Sequence, residues 1–308
     1  MPLVSGKLLL EKANEMGFAV GAFNFNNMEF LKAILDGAQE EEAPVIVQTT
    51  ESAIRYAGID YLAGMVHAVK DSYRIPFALH LDHGRKVSTV LEAIRHGYTS
   101  VMIDLSDRPY EENLNTTRRV VSICAPLNIA VEAELGRLVG IEDNVESDEE
   151  LLVDPQQAKE FALRTGIDSL APAIGTAHGA FKFRGEAKLD YDRLRKVKEL
   201  TNMPLVLHGA SGVYYEYVAE INRYGGEVAG AKGVPDEELR RAIELGINKV
   251  NTDTDLRLAF LATLRRLISE ERRNIDPRKF LKPAMEEVKE VVKRRIRLYG
   301  SSGMASLF

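Results

Sequence analysis

A single cysteine, Cys124, stands in a chain of 308 residues. A disulfide framework within the chain is therefore excluded, and such sparing use of thiol points to an intracellular setting. No run approaches the ~18 consecutive apolar residues that a membrane span needs. The opening M-P-L-V-S-G-K lacks the charged segment and long apolar stretch of a secretory signal. The expectation is a cytoplasmic protein with no membrane partner. Basic residues are also in short supply: 40 Lys and Arg against 46 Asp and Glu leave a formal net charge of −6. That argues against a nucleic-acid partner, but not against a phosphorylated substrate, since a small site can be locally positive on an acidic protein. Solenoid-type repeats, low-complexity tracts and a composition break between the halves are absent too. With 45% hydrophobic residues the chain can bury a large core, and a single domain spanning 1–308 is expected.

What is present is an alternation. Short apolar runs at 19–25, 45–49, 77–82, 100–105, 129–134, 169–174, 205–208 and 247–251 read as strands buried on both faces. Longer amphipathic stretches lie between them. Residues 28–42 carry Phe30, Ile34 and Ala38 at helical spacing. Asp107-Arg108-Pro109 and Asp154-Pro155 mark helix starts, and 283–298 reads as a C-terminal helix. Eight βα units in sequence predict a (β/α)8 TIM barrel with an extra C-terminal helix and long βα loops at the active-site face. An open doubly wound sheet is the competing architecture. It ranks lower because polar residues end nearly every strand, as they do at a barrel mouth. Two insertions stand out: an acidic one at 136–153, read as a solvated surface loop, and a glycine-containing one at 213–235. Long loops of this kind shape active sites.

Four strings carry the chemistry: H-L-D-H-G (80–84), E-A-E-L-G (132–136), G-T-A-H-G (175–179) and L-H-G-A-S-G (207–212). Three follow an apolar run directly, and G-T-A-H-G lies a few residues beyond its run. His83, His178 and His208 thus end different strands of one barrel and converge on its mouth. Three imidazoles with an open position make a catalytic metal site. Zinc and cobalt both suit such ligands. Glu134 could complete the coordination sphere or brace a ligand. Glu132 shares its parity, should also point inward, and needs a partner, for which the metal is the obvious candidate. His80, sharing parity with Asp82, reads as a hydrogen-bonded core residue, and His67 and His96 as helix surface. Lys249 has neighbours that do not suggest a buried amine, and the histidines make a Schiff-base lysine unnecessary. The glycines after His178 and His208, with Ser211 and the N-T-D-T-D string at 251–255, let backbone N–H groups approach an anion. In TIM barrels phosphate commonly sits at the last two βα loops. Ordinary turn chemistry would choose the same residue types.

These strings, together with A-F-N-F-N (22–26), M-I-D-L-S (102–106) and G-I-E-D (140–143), resemble the class II, metal-dependent fructose-1,6-bisphosphate aldolases almost end to end. The resemblance implies reversible cleavage of fructose 1,6-bisphosphate to dihydroxyacetone phosphate and glyceraldehyde 3-phosphate. By position it makes His83, His178 and His208 the metal histidines and Glu134 the carboxylate near the metal. Asp82 becomes the residue that moves the C4-hydroxyl proton, and Glu142 the one that takes a proton from C3 of dihydroxyacetone phosphate. Asn251 steadies the enediolate. Asn24 orients substrate, and Thr50 stands at a substrate position where the family often has serine. Gly179, Gly209, Ser211, Asp253 and Thr254 match phosphate and substrate contacts, and Lys182 is a weaker match. Arg278 matches an arginine that reaches a neighbouring subunit's site, which implies a dimer or tetramer. A monovalent cation (Na+, K+ or NH4+) near the loop carbonyls is also implied. The family's usual double glycine before the loop glutamate is replaced by Val139-Gly140-Ile141. Tagatose-bisphosphate aldolase, metal-dependent barrel hydrolase and sugar-phosphate binding protein are the alternatives. The first-strand H-x-H of many barrel hydrolases is missing, and a mere binder would not need Asp82 and Glu142 together.

Overall fold

The eight apolar runs form strands, and the strands close. In the computed structural model β1 (Val20–Asn24), β2 (Val45–Thr50), β3 (Phe77–Gly84), β4 (Ser100–Ile103), β5 (Ala130–Leu135), β8 (Ser169–Pro172), β10 (Leu205–Leu207) and β11 (Ile247–Thr252) make a parallel barrel in the order β1-β11-β10-β8-β5-β4-β3-β2. The open-sheet alternative is thereby set aside. The structure describes residues 2–137, 139–142, 145–147, 151–178, 189–228 and 230–308, with the backbone alone at 139–142, 145–147 and 177–178.

Period-two alternation sorts each strand between two cores. Outward residues such as Phe23, Val47, Leu79, Leu81, Val101, Val131, Leu170 and Val250 join one large apolar cluster with the surrounding helices. Inward residues near the strand starts, namely Val20, Ala22, Ile46 and Ala78, form a separate cluster with Leu9, Leu10 and Ala13 of α1 (Gly6–Met16). Helix α1 therefore plugs the N-terminal end of the barrel. Further along the strands the inward positions turn polar: Gln48, His80, Asp82, Glu132, Glu134, Lys249 and Asn251, all buried. One end of the barrel is sealed by hydrocarbon and the other is lined with groups that must find partners.

The helices α2 (Met28–Glu40), α3 (Glu51–Ala57), α4 (Ile59–Val69), α5 (Val87–Arg95), α6 (Tyr110–Cys124), α7 (Pro155–Thr165), α8 (Tyr191–Thr201), α10 (Asp236–Glu244) and α11 (Thr254–Glu270) cover the outside. Two starts were marked in the sequence. Proline 109 precedes α6, and Asp154 caps α7 by accepting the Gln157 N–H at 2.8 Å, with Pro155 at the first helical position. The C-terminal helix α12 runs Arg278–Leu298, five residues longer at its start than expected, with Pro283 inside it. The buried face of Ala284, Val288, Val291, Val292 and Ile296 packs against α2 and α11 and holds the helix through the proline.

One loop expectation is corrected and the other gains detail. The acidic insertion is not simply a solvated loop. Its backbone forms β6 (Val139–Glu142) and β7 (Val145–Ser147), paired antiparallel, and β6 also pairs in parallel with β9 (Ala177–His178). Val139-Gly140-Ile141, noted in the sequence only as a departure from the double glycine, lies on the paired strand β6. The 213–235 insertion contains α9 (Tyr215–Arg223), whose Val218 and Ile221 pack on Leu258 and Ala262 of α11. Among the described residues no helix is long and apolar enough to cross a membrane.

Phe161 of α7 is wholly buried and faces the Tyr110 ring at 6.0 Å between centroids, whereas Leu163 is exposed. Phe161→Ala should cost about 3–5 kcal/mol in urea unfolding, and Leu163→Ala less than about 0.5 kcal/mol. Equal costs would contradict the placement of α7.

Candidate active site

Asp82 occupies the centre of the polar end. It is buried near the end of β3, and three amides from three strands donate to it: Asn24 Nδ2 at 3.0 Å, Gln48 Nε2 at 3.2 Å and Asn251 Nδ2 at 3.0 Å. Gln48 also donates to Asn24 Oδ1 at 2.8 Å. Gln48 was missed in the sequence, although a lone amide inside the apolar run V-I-V-Q-T-T was a usable signal. Burial alone would raise the Asp82 carboxyl, but the charges of His83, Lys249 and His208 outweigh it and hold the group below its ordinary value. Gln48 Oε1 and Asn251 Oδ1 are buried without a partner among the described residues. They are acceptors at the mouth that a bound molecule would satisfy.

His83 follows Asp82 immediately, so a regular strand would point the two side chains to opposite faces. It instead takes φ +48, and the pairing with β4 shifts register between Leu81 and Gly84. This irregularity turns both side chains toward the same site. A histidine in the left-handed region is strained, and such strain collects where function requires it. His83 Nδ1 is 2.9 Å from Asp104 Oδ2. Asp104 is fixed in turn by Arg85 at 3.2 Å and by the Ser106 N–H and hydroxyl at 3.1 and 2.8 Å. Burial opposes charge on His83, but Asp82 and Asp104 prevail and push it up to about 10.

His208 follows β10. Its ring lies edge-on to His83, 4.6 Å between centroids. Nδ1 is 3.0 Å from Glu134 Oε2, and Nε2 is 2.9 Å from Glu132 Oε1. Again burial opposes protonation and the two carboxylates overcome it, pushing the ring up to about 9. Lys249 corrects the sequence reading. It is wholly buried, and its ammonium donates to Glu132 Oε2 at 2.8 Å. Glu132 thus has Lys249 and His208 as its partners, where a metal had been expected. The cue lay in parity: Lys249 and Asn251 are two residues apart on β11 and both turn inward. Lys249 also approaches His80 Nε2 at 3.4 Å, while His80 Nδ1 meets Ser100 Oγ at 2.7 Å. Burial, helped by Lys249, pushes His80 down to about 3, so this ring is neutral and fills the core as expected.

Two groups of ligand-type atoms lie within 4.8 Å of one another: Asp82, His83 and His208, and His83, Asp104 and Glu134. The nitrogen and carboxylate donors fit a divalent metal such as zinc or cobalt. His178 ends β9, and its backbone lies opposite Gly140 on β6, the strand that ends at Glu142. The loops bearing these two residues are therefore joined in one small sheet. Gly179 and Lys182 lie outside the described residues.

The remaining candidates vary. Thr50 ends β2, where its hydroxyl accepts the Ala53 N–H at 3.2 Å as the cap of α3. Gly209, at φ +60, and buried Ser211 follow β10. Asp253 stands just before α11 without a side-chain capping bond, its Oδ1 accepting from Arg257 Nε at 2.8 Å and its own N–H 3.4 Å from Ser211 Oγ, and Thr254 opens that helix. Arg278 is 88% exposed and pairs with Asp276 at 2.9 Å.

Comparison with known proteins finds similar chains along nearly the whole length. The family model described as "Fructose-bisphosphate aldolase class-II" matches residues 4–227 and 228–304. The fructose-bisphosphate aldolase of Helicobacter pylori (strain 26695) is 50% identical over 303 residues, covering 97% of this chain and 99% of that protein. The protein of the same name from Thermus caldophilus is 50% identical over 305 residues, covering 98% and 100%. Among solved structures, the YdjI aldolase of Escherichia coli K12 superposes with a TM-score of 0.81 at 30% identity, covering 98% and 99%.

The carboxylates beside His83 and His208 push both rings up and so favour their protonated forms at pH 7 in the metal-free protein. Zinc added to chelated protein should therefore release about two protons per ion, with affinity falling as pH drops. Without metal, the stability these rings confer is complete below their unfolded value of about 6.5. It is lost as pH rises through about 9 to about 10. Isothermal titration in buffers of different ionisation enthalpy counts the protons, and zinc uptake without proton release would contradict the assignment.

Proposed function

The chain belongs to the class II fructose-bisphosphate aldolase family and its activity is that of a fructose-bisphosphate aldolase, a metal-dependent carbon–carbon lyase; from that premise we propose how its residues share the reaction. The observation that carries the proposal is Asp82, held by three amides beside His83 and His208.

His83, His178 and His208 are the ligands of a catalytic zinc, with cobalt as a competent substitute, and Glu134 stands beside them. When bound, the metal supplies Lewis-acid polarisation of the substrate's carbonyl oxygen. Asp104 holds His83 by Nδ1, which leaves Nε2 as the ligand nitrogen, an arrangement that orients metal-binding imidazoles generally. On His208, Glu134 stands two residues nearer the strand end than Glu132. Nδ1 is therefore the nitrogen on the mouth side, and Glu132, anchored by Lys249, keeps hold of Nε2.

Asp82 takes the C4-hydroxyl proton as the C3–C4 bond breaks and returns it to the aldehyde oxygen in condensation. Its depressed carboxyl keeps it ionised at neutral pH. Asn24 and Gln48 orient Asp82, and Asn251 steadies the charge that builds at C2 and C3. Glu142, on the hairpin joined to the His178 strand, exchanges the proton at C3. Gly179, Gly209, Ser211, Asp253 and Thr254 hold one phosphate with the adjoining substrate atoms. Thr50 and Lys182 add contacts, and a monovalent cation sits against the loop carbonyls. Arg278 serves a neighbouring subunit's second phosphate. In support, the exposed Arg278 pairs with Asp276, and nearby Ile275 is 95% exposed, as suits a segment that docks on another copy. A dimer or tetramer of one-domain chains, acting on sugar phosphates of glycolysis and gluconeogenesis in the cytoplasm, completes the reading.

The two carboxylates separate experimentally. Glu142→Ala should lose exchange of the C3 proton of dihydroxyacetone phosphate. Asp82→Ala should lose cleavage while keeping more of that exchange, with losses of about 10²-fold or more. Equal loss of both activities in both variants would refute the division. With D-T-D (253–255) directly after the last strand, fructose 1,6-bisphosphate should be cleaved with much higher kcat/KM than tagatose 1,6-bisphosphate. Parity between the epimers under identical metal loading would remove that preference.

A further inference from the structure

The segment leaving β10, His208 to Val213, is held from behind by one buried carboxylate. Asp255, wholly buried in the first turn of α11, accepts the Gly212 N–H at 3.0 Å on one oxygen and the Val213 N–H at 2.7 Å on the other. Arg295 of α12, also wholly buried, donates to Asp255 Oδ2 from Nε at 3.0 Å and Nη2 at 2.6 Å. Its third nitrogen, Nη1, donates to Asp236 Oδ1 at 3.0 Å, at the start of α10. The Tyr214 ring covers the guanidinium, 4.7 Å from carbon to centroid. A buried ion pair is costly unless its hydrogen bonds are made. Here both carboxylate oxygens and all three guanidinium nitrogens are engaged.

The fit leaves no slack. A Cβ on Gly212 would stand 2.1 Å from Arg295 Nη2, and one on Gly233 would stand 2.3 Å from Ser211 O. The Val234 N–H ties down Ser211 O at 3.0 Å. Val213 is held at φ +53, a conformation that a β-branched residue keeps only when its surroundings impose it.

We propose that the Asp255–Arg295 pair is a positioning device for anion binding. It engages the N–H groups of Gly212 and Val213 and so fixes the turn that presents residues 209–211 to the substrate phosphate. Neither residue touches substrate. Through this pair the C-terminal helix, on the outside of the barrel, becomes part of the binding apparatus. The inference rests on the reading above that Gly209 and Ser211 hold phosphate. A phosphate held alike in ground and transition states contributes to KM rather than to kcat.

Arg295→Lys keeps the charge and removes the fork, while Asp236→Asn loosens Arg295 from a partly exposed position. For each, kcat and KM for fructose 1,6-bisphosphate, competitive inhibition by inorganic phosphate, and metal content are measured. Arg295→Lys should raise KM and the phosphate inhibition constant together by about 5- to 20-fold, with kcat within about threefold and metal content unchanged. Asp236→Asn should give a smaller shift in the same direction. A folded Arg295→Lys with wild-type KM and inhibition constant overturns the proposal. If that variant does not fold, unchanged constants in Asp236→Asn overturn it. Ser211→Ala separates the two layers of argument. If it leaves phosphate inhibition unchanged, the phosphate reading of the loop fails. If it weakens inhibition while the other two variants do not, only the positioning role fails.

Discussion

Four charged or ionisable groups, Lys249, Glu132, His208 and Glu134, run as a bonded chain through the middle of the barrel, and the polar end depends on their mutual neutralisation. Each is almost wholly buried. A carboxylate such as Glu132 could not remain there without its ammonium partner, because an unpaired charge in that environment is costly and removing one partner typically costs about 3–5 kcal/mol. With Lys249 in place, Glu132 becomes a fixed acceptor below the mouth, and His208 is held where it meets His83. The metal-type cluster is therefore built upward from a salt bridge, on a floor of hydrocarbon supplied by α1.

Above that chain the geometry depends on departures from regular strand structure. The left-handed backbone at His83 brings two consecutive side chains to one site, and the register shift in β3 accommodates it. At the other side of the mouth, Val213 marks the turn clamped by Asp255 and Arg295. Both places store local strain that surrounding hydrogen bonds offset, one through Asp104 and one through the buried guanidinium. Asp82 and His83 thus come together from the end of β3, and His208 with the 209–213 turn from the end of β10, while β6, which ends at Glu142, and the His178 strand share a sheet of their own.

The barrel was legible because its signals are periodic. Eight apolar runs with polar ends specify both strands and mouth, and strand parity alone put Glu132 and Glu134 inside. His83 and His208 were equally plain, whereas His178 ends β9 of the small sheet and not a barrel strand. What escaped depended on partners distant in sequence. Lys249 looked unremarkable on its strand because Glu132, 117 residues earlier, is what buries it. Gln48 was hidden by its apolar neighbours, and Asp255 read as the tail of a phosphate string until Arg295 came to lie against it. The acidic insertion misled for a different reason: its pairing with β9 is a backbone matter that composition does not record.

The account stands or falls on the metal centre, and X-ray absorption at the metal edge of the zinc-loaded protein addresses it directly. Three imidazole nitrogens at about 2.0–2.1 Å, with the remaining positions filled by oxygen, are predicted. The His178→Ala variant should show one imidazole fewer. A shell dominated by carboxylate oxygen with fewer than three imidazoles in the unmodified protein, or a spectrum unchanged by His178→Ala, would contradict the assignment of His83, His178 and His208 as the ligands.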